Sequence, residues 1–173
     1  MLGFLMEGAT HGYELRRRFV AGLGGLWRIS ESQMYSILKR LVAKGLVESS
    51  TCDNADGPSR HLLSISPSGR DRFEDWLSKP SFCSPRVLRL EFLSRLYFAG
   101  TLRELYGPSL QAKIHREQIA EAERELSQAA LARSDGDGMI EALGRDFRIN
   151  QLRSALSWLE TSVGQAIGEK DSR

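Results

Sequence analysis

The sequence predicts a mainly α-helical protein with one small β-hairpin, organised as an N-terminal part that carries the hairpin and a wholly helical C-terminal part. Three observations predict it. Apolar residues recur at spacings of three and four through most of the 173 residues, which places them on one face of a helix. One stretch, "LVESSTCDNADGPSRHLLSIS", replaces that period with two short strand-like runs around a polar tip. A break with two prolines, "SKPSFCSP", then interrupts the pattern. We therefore expect one domain over residues 1–79, a linker over 80–85 and a second domain over 86–173.

The elements follow in order. "LGFLM" reads as the last turns of a helix stopped at Gly8, and its abrupt beginning leads us to expect that the helix starts upstream. Thr10 is placed to cap a second helix, "HGYELRRRFVAG", with Leu15, Phe19 and Val20 on one face and Arg16, Arg17 and Arg18 over the rest. "GLGGLW" breaks it. The third helix lies within "ISESQMYSILKRLVAKGL", and both its ends are marked. Ser30 and Gln33 have the spacing of a capping box, and Ile29 and Met34 that of a hydrophobic staple. Gly45 offers the left-handed stop, with Leu46 folding back on Leu41. After the two-stranded hairpin, Ser66 and Pro67 start a fourth helix whose Phe73, Trp76 and Leu77 point inward. Beyond the break, helices are expected from Pro85 to Ala99, from Leu102 to about Arg133, and from Met139 to about Ile167, with "SDGDG" as the last turn.

Composition excludes more than it selects. Lys and Arg number 24 against 22 Asp and Glu, a net +2, so a claim on nucleic acid must rest on local placement. Cys52 and Cys83 lack the number and spacing of a disulfide framework or zinc knuckle and suit a reducing cytosol. Cys52 is expected to be an incidental loop thiol, with oxidant sensing as the alternative. No signal peptide or membrane-length apolar run is read, so a soluble cytoplasmic protein is expected. His11, His61 and His115 have no metal-ligand spacing, and no nucleophile motif or phosphate loop occurs. We expect no enzyme activity, metal or cofactor.

The third helix has a second side. Met34, Ile37, Leu38 and Leu41 form its apolar stripe, while Ser32, Ser36, Lys39 and Ala43 lie opposite, flanked by Gln33, Arg40 and Tyr35. Small residues in the middle with donors at the margins suit close approach to a surface rich in acceptors. A DNA major groove is one such surface, where Gln and Ser meet base edges and Lys and Arg reach guanines or phosphates. Simple tolerance of solvent is the other reading, and this helix alone leaves both open. The order along the chain favours the first: helix, helix, glycine-rich connection, capped helix, hairpin and helix make a winged helix-turn-helix.

The segments "EGATHGYELRRRF", "SQMYSILKRLVAKGLVES" and "SISPSGRDRFEDWL", with "RLEFLSRLYF" more weakly, resemble the PadR-like transcriptional regulators over roughly the first hundred residues. The resemblance implies a dimeric DNA-binding regulator, commonly a repressor, with C-terminal helices that pair two subunits and respond to small molecules. It puts Gly12 at a close helix approach and assigns Tyr13, Ser32, Gln33, Tyr35, Ser36, Lys39, Arg40 and Arg60 to double-stranded DNA. Ser32, Gln33 and Ser36 are expected at bases, Tyr35 and Lys39 at phosphates, and Arg40 at either. Two departures stand out: Ser36 where many relatives carry Pro, and a wing with Asp53 and Asp56 at its tip, which leaves Arg60 and His61 as its cations. A weaker wing contribution and a shallower salt dependence are expected.

In the C-terminal half, Ile149, Leu152, Leu156, Leu159, Val163 and Ala166 form one seam, and Ala112, His115, Ile119, Ala122, Leu126 and Ala129 another. The seams suit packing within one chain or between two. Trp158, Leu143, Phe147 and Ile167 fall outside them and favour a partner. We take Ile119, Leu126, Ile149, Leu152, Leu156, Leu159 and Val163 as the homodimer contacts. Two recognition helices would then meet successive major grooves about 34 Å apart on an inverted repeat. Phe92, Tyr97 and Trp158 are expected to wall a pocket for a small aromatic or hydrophobic effector. The charged set Glu117, Glu121, Glu123 and Glu125 with Arg116 and Arg124 is read as a solvated face. The competing function is a winged-helix module that binds protein instead of DNA.

Overall fold

The computed structural model describes residues 1–52, 60–132 and 138–171. Asp53, Asp56, Arg133 and most of the "SDGDG" turn fall outside them, as do the side chains of Cys52 and Arg60. The chain divides into two compact units, Met1–Lys79 and Pro80–Arg173.

The first unit is a winged helix. It contains α1 (Leu2–Leu5), β1 (Thr10–His11), α2 (Gly12–Leu23), α3 (Glu31–Ala43), β2 (Val47–Cys52), β3 (Arg60–Ile65) and α4 (Pro67–Ser78). Its sheet has three antiparallel strands in the order β1-β3-β2, one more than expected. Thr10 does not cap α2, because its backbone is extended and paired with Leu63, while His11 pairs with Leu62. His11 is therefore the residue before the helix, and it makes no side-chain cap bond. The inward line of α2 is Leu15, Phe19 and Leu23. Val20, expected on that face, is exposed because a four-residue step from Phe19 leads to Leu23 instead. The core is completed by Phe4 and Leu5 of α1, Met34 and Leu38 of α3, Val47, Leu63, Phe73 and Leu77. The Phe4 ring meets Phe19 edge-on at 6.1 Å. Burial of each such side chain contributes about 1.5–3 kcal/mol.

Ser66 ties the end of α3 to the start of α4. Its hydroxyl donates to the Gly45 carbonyl at 2.6 Å and accepts the Gly69 amide at 3.0 Å. The cap of one helix is thus a hydrogen bond to the stop of another.

The second unit is helical. A first run joins α5 (Pro85–Val87), a π-helical turn (Leu88–Phe92) and α6 (Leu93–Thr101). The helix expected from Leu102 is broken: α7 (Arg103–Tyr106) ends at Gly107, whose φ of 86° only glycine adopts readily, and Pro108 lacks the amide needed to continue. The long helix α8 starts later and spans Leu110–Leu131. The last run comprises α9 (Met139–Trp158), a π-helical turn (Leu159–Val163) and α10 (Gly164–Asp171).

The buried line of α8 is Ile114, Gln118 and Ala122, rotated from the expected seam. Gln118 explains the rotation, since it is fully buried in a polar cluster. Arg95 Nη2 donates to Ser81 Oγ at 2.8 Å and to Gln118 Oε1 at 2.7 Å. Gln118 Oε1 also accepts the Ser81 amide at 2.8 Å, and its Nε2 donates to the Ser81 carbonyl at 2.6 Å and to Cys83 Sγ at 3.2 Å. Glu125 accepts the Cys83 amide at 2.9 Å and pairs with Arg148, so it departs from the solvated face expected for it. The Arg148 guanidinium lies 4.4 Å over the Phe82 ring and donates to the Cys83 carbonyl at 2.7 Å. Burial lowers the Arg95 guanidinium to about 10, against the opposing pull of Glu91 and Glu117. Burial also pushes the Cys83 thiol up to about 11. Interior polar groups of this kind are stable only when their hydrogen bonds are made.

Candidate nucleic-acid interface

Helix α3 is fixed at both ends by its own residues. Ser30 Oγ accepts the Gln33 amide at 3.2 Å, and Gln33 Oε1 accepts the Ser30 amide at 2.8 Å, a complete capping box. At the other end Gly45 has φ 67°, its amide donates to Val42 at 2.9 Å, and the Leu46 amide donates to Leu41 at 3.0 Å. That pair of bonds is a Schellman stop. Met34 and Leu38 are buried and Ile37 and Leu41 half-buried, while Ser32, Gln33, Tyr35, Ser36, Lys39, Arg40 and Ala43 are all exposed.

Two of the expected base readers are partly committed. The carbonyl end of Gln33 is used by the cap, so only its NH₂ is left to donate, and Ser32 Oγ lies 3.0 Å from Ser30 Oγ. Ser36 Oγ makes no side-chain hydrogen bond among the described residues. The cations divide more sharply. Arg16 faces Glu31 at 3.6 Å, Arg17 holds Glu14 at 2.9 Å, and Arg18 holds Glu14 at 3.3 Å and Glu7 at 3.2 Å. Desolvation works to raise the Glu14 carboxyl, but Arg17 and Arg18 prevail and hold it below its ordinary value. Among the described residues, Lys39 and Arg40 have no ion-pair partner. The positive charge of α2 is largely offset; that of α3 is not.

Tyr13 stands 68% exposed at the start of α2, beside Tyr35, which is 45% exposed. A Cβ on Gly12 would lie 3.3 Å from Tyr35 Cε1, so the small residue lets the ring rest on the start of α2, as expected of a close approach. Between β1, β3 and α3 opens a concavity of about 1500 Å³ lined by His11, Tyr13, Tyr35, Lys39, Ser49 and His61 among others. Sequence reading missed His11 and Ser49 here. The pairing of both β1 and β2 with β3 brings them together. The Arg60 backbone pairs with Cys52 at the outer end of the described wing.

In the second unit the expected dimer contacts separate. Leu152, Leu159 and Val163 are buried within the unit itself and serve as its core, which corrects their assignment to a partner. Ile119, Leu126, Ile149 and Leu156 are half-buried. A different apolar line on α9 is uncovered: Met139, Ile140, Leu143 and Phe147, the last 65% exposed. Leu143 and Phe147 of this line are two of the residues expected outside the seams, and Met139 and Ile140 extend it toward the start of the helix.

The expected effector pocket is also corrected. Phe92 is fully buried, its ring 6.1 Å from Trp158 in an edge contact, and Tyr97 packs against Phe98 at 5.2 Å. Neither lines the opening of about 590 Å³ in this unit, which is walled by Trp158, Phe147, Leu88, Leu93 and Arg89 with other residues of α9. Of the three aromatics, Trp158 alone reaches it. Among the described residues no group of three His, Cys, Asp or Glu is placed to hold a metal, and no helix is long and apolar enough to cross a membrane.

Comparison with known proteins gives a consistent picture. Residues 1–75 match the transcriptional regulator PadR-like family. The chain is 26% identical over 127 residues to the negative transcriptional regulator PadR of Bacillus subtilis, covering 73% of this chain and 67% of that protein. It is 25% identical over 181 residues to the probable transcriptional regulator Rv1176c of Mycobacterium tuberculosis, covering 96% and 94%. A crystal structure of Bacillus subtilis PadR in complex with operator DNA superposes with a TM-score of 0.45 at 22% identity, covering 95% of this chain and 94% of that one.

Proposed function

We propose, from the match of residues 1–75 to the PadR-like family of transcriptional regulators, that the chain is a homodimeric repressor that reads an inverted-repeat operator with α3. The observation that carries the reading is the outer side of α3: a helix capped at both ends, with small residues in the middle and two cations that no carboxylate among the described residues neutralises. A helix laid in a major groove needs both properties, because its backbone must come close and its donors must not be spent elsewhere. Ser36 and the NH₂ of Gln33 are the base-edge candidates, with Ser32 beside them. Lys39, Tyr35 and Tyr13 are the backbone candidates, Arg40 serves either role, and Arg60 extends the set along the wing.

Repression is supported by the Bacillus subtilis relative, a negative regulator. Pairing of two copies is supported by the uncovered line Met139, Ile140, Leu143 and Phe147, because four large apolar residues on one helix face favour leaving water. The half-buried Ile119, Leu126, Ile149 and Leu156 stay in the proposal as further pairing contacts, Ile149 and Leu156 from the opposite side of α9, beside Leu152. The opening beside Trp158 has the size of a small-molecule site. An aromatic or hydrophobic effector bound there would touch Phe147 and so bias the pairing that sets the spacing of the two α3 helices. A role on chromosomal DNA places the chain in the cytoplasm.

The rival reading, a winged-helix module for protein, has no use for unpaired donors on α3. The test is selection from a random pool of duplex DNA with the purified full chain. Enrichment of a two-fold symmetric site with half-sites about one helical turn apart is expected. A pool that stays random after repeated rounds would sink the regulator reading and favour the rival.

A further inference from the structure

The wing raises a question that the outer side of α3 does not answer. Its tip is acidic in sequence, and β3 brings only Arg60 and His61 as cations, yet a concavity of about 1500 Å³ lies at its base, beside α3. A winged helix approaches DNA with both α3 and the wing, so a hollow between them faces a phosphate-bearing strand. What lines that hollow decides how the strand is held.

His11 and His61 sit there on paired strands. His11 Nδ1 lies 3.1 Å from the His61 carbonyl, a bond in which only a protonated Nδ1 can donate. The proton of neutral His11 is therefore on Nδ1, and Nε2 is the nitrogen that accepts the next one. His61 Nδ1 lies 3.4 Å from Ser49 Oγ on β2. The remaining titratable groups of the hollow can be named element by element. Helix α2 contributes Tyr13 and Glu14, α3 contributes Tyr35 and Lys39, and α1, Leu2–Leu5, has none. Glu14 is held by Arg17 and Arg18, so it does not neutralise an imidazolium. Lys39 is a further cation in the lining of the hollow.

We infer that this hollow grips one strand of operator backbone and that His11 and His61 are its proton-dependent cations, so that operator binding takes up protons. The inference rests on the DNA-binding reading and adds two contacts to it. Histidine changes charge between about pH 5 and 8, and each imidazolium that meets a phosphate steepens the dependence of log affinity on log salt by about 0.9. Two such residues per chain in a two-copy complex give a slope steeper by up to about 3.6 at pH 5.5 than at pH 8.

The experiment is fluorescence anisotropy of the full chain on its selected DNA at four salt concentrations, at both pH values. It is repeated with the double variant His11→Asn, His61→Gln, its fold checked by circular dichroism. The expected result is a slope steeper by at least about 1.8 at the lower pH in the wild type, one imidazole per copy, and no change of slope with pH in the variant. Equal slopes at the two pH values in the wild type overturn the inference whatever the variant does. A steepening that survives in the folded variant also overturns it, because the proton is then taken up outside the hollow. Tight binding at pH 8 with equal slopes leaves the regulator reading intact. Failure to bind selected DNA at either pH removes both.

Discussion

Replacing Lys39 and Arg40 together by Ala tests the electrostatic half of DNA reading, and its magnitude can be worked out. Both side chains are exposed, and neither has an ion-pair partner among the described residues, whereas the arginines of α2 are engaged by Glu7, Glu14 and Glu31. Their charge is therefore available to phosphates. Two cations per copy make four per dimer, and at about 0.9 per neutralised phosphate they supply about 3.6 of the slope of log affinity against log salt. Between 50 and 200 mM salt, a slope of about 3.6 corresponds to a loss of roughly 150-fold. The double variant is expected to lose that part of the salt dependence, so its deficit is far larger at low salt than at high salt. If Arg40 meets a guanine instead, the slope falls by only about 1.8 and preference at one base position relaxes. The assay is fluorescence anisotropy on the selected operator at pH 8, with light scattering to confirm an unchanged dimer. A slope equal to that of the wild type would refute the reasoning, because α3 would then not approach phosphates at all.

Three further outcomes are expected. Leu143→Glu with Phe147→Glu places charge on the uncovered face of α9 and should halve the mass seen by light scattering to that of one 19.4 kDa chain; a dimeric mass would move the pairing surface elsewhere. Gln118→Leu strips the acceptor from Arg95 and from the Ser81 amide and the donor from the Ser81 carbonyl, and should cost about 3 kcal/mol in urea unfolding; a cost below about 1 kcal/mol would mean that water replaces those bonds. In a Cys52→Ser background, Cys83 should resist iodoacetamide at pH 8 until the chain is unfolded, since burial raises its thiol from 9.0 to about 11. Because the folded pKa is the higher one, the thiol contributes stability below pH 9 that is lost as pH rises through about 11. Rapid native labelling would contradict the burial.

What could be read from sequence was whatever neighbours along the chain determine. The capping box of Ser30 and Gln33, the stop at Gly45 and the Ser66–Pro67 start each involve groups within a few residues of one another, so spacing alone reveals them. Strand β1 could not be found that way. It is two residues long, too short for an alternating pattern, and its partner lies some fifty positions away. The break at Gly107 and Pro108 was a local signal, overridden by an apolar period that ran across it. Gln118 defeated the seam in the opposite sense: an apolar period passes over a polar residue whose burial is made possible by Arg95 of α6 and by Ser81 and Cys83 of the connection between α4 and α5. Of the interface, α3 was legible, while the hollow beside it was not, because three strands are needed to assemble it.

The short strand β1 has a mechanical meaning for how such a protein chooses its sites. It stitches the base of the wing to the lead-in of α2, while the Ser66 bond to Gly45 ties the foot of the wing to the end of α3, so wing and helices share one frame, like the jaws of a locked caliper. A locked tool does not adapt to the width of what it measures. Duplexes whose grooves already match, or bend cheaply to match, are then favoured, and base pairs that no side chain touches acquire a vote through their stiffness.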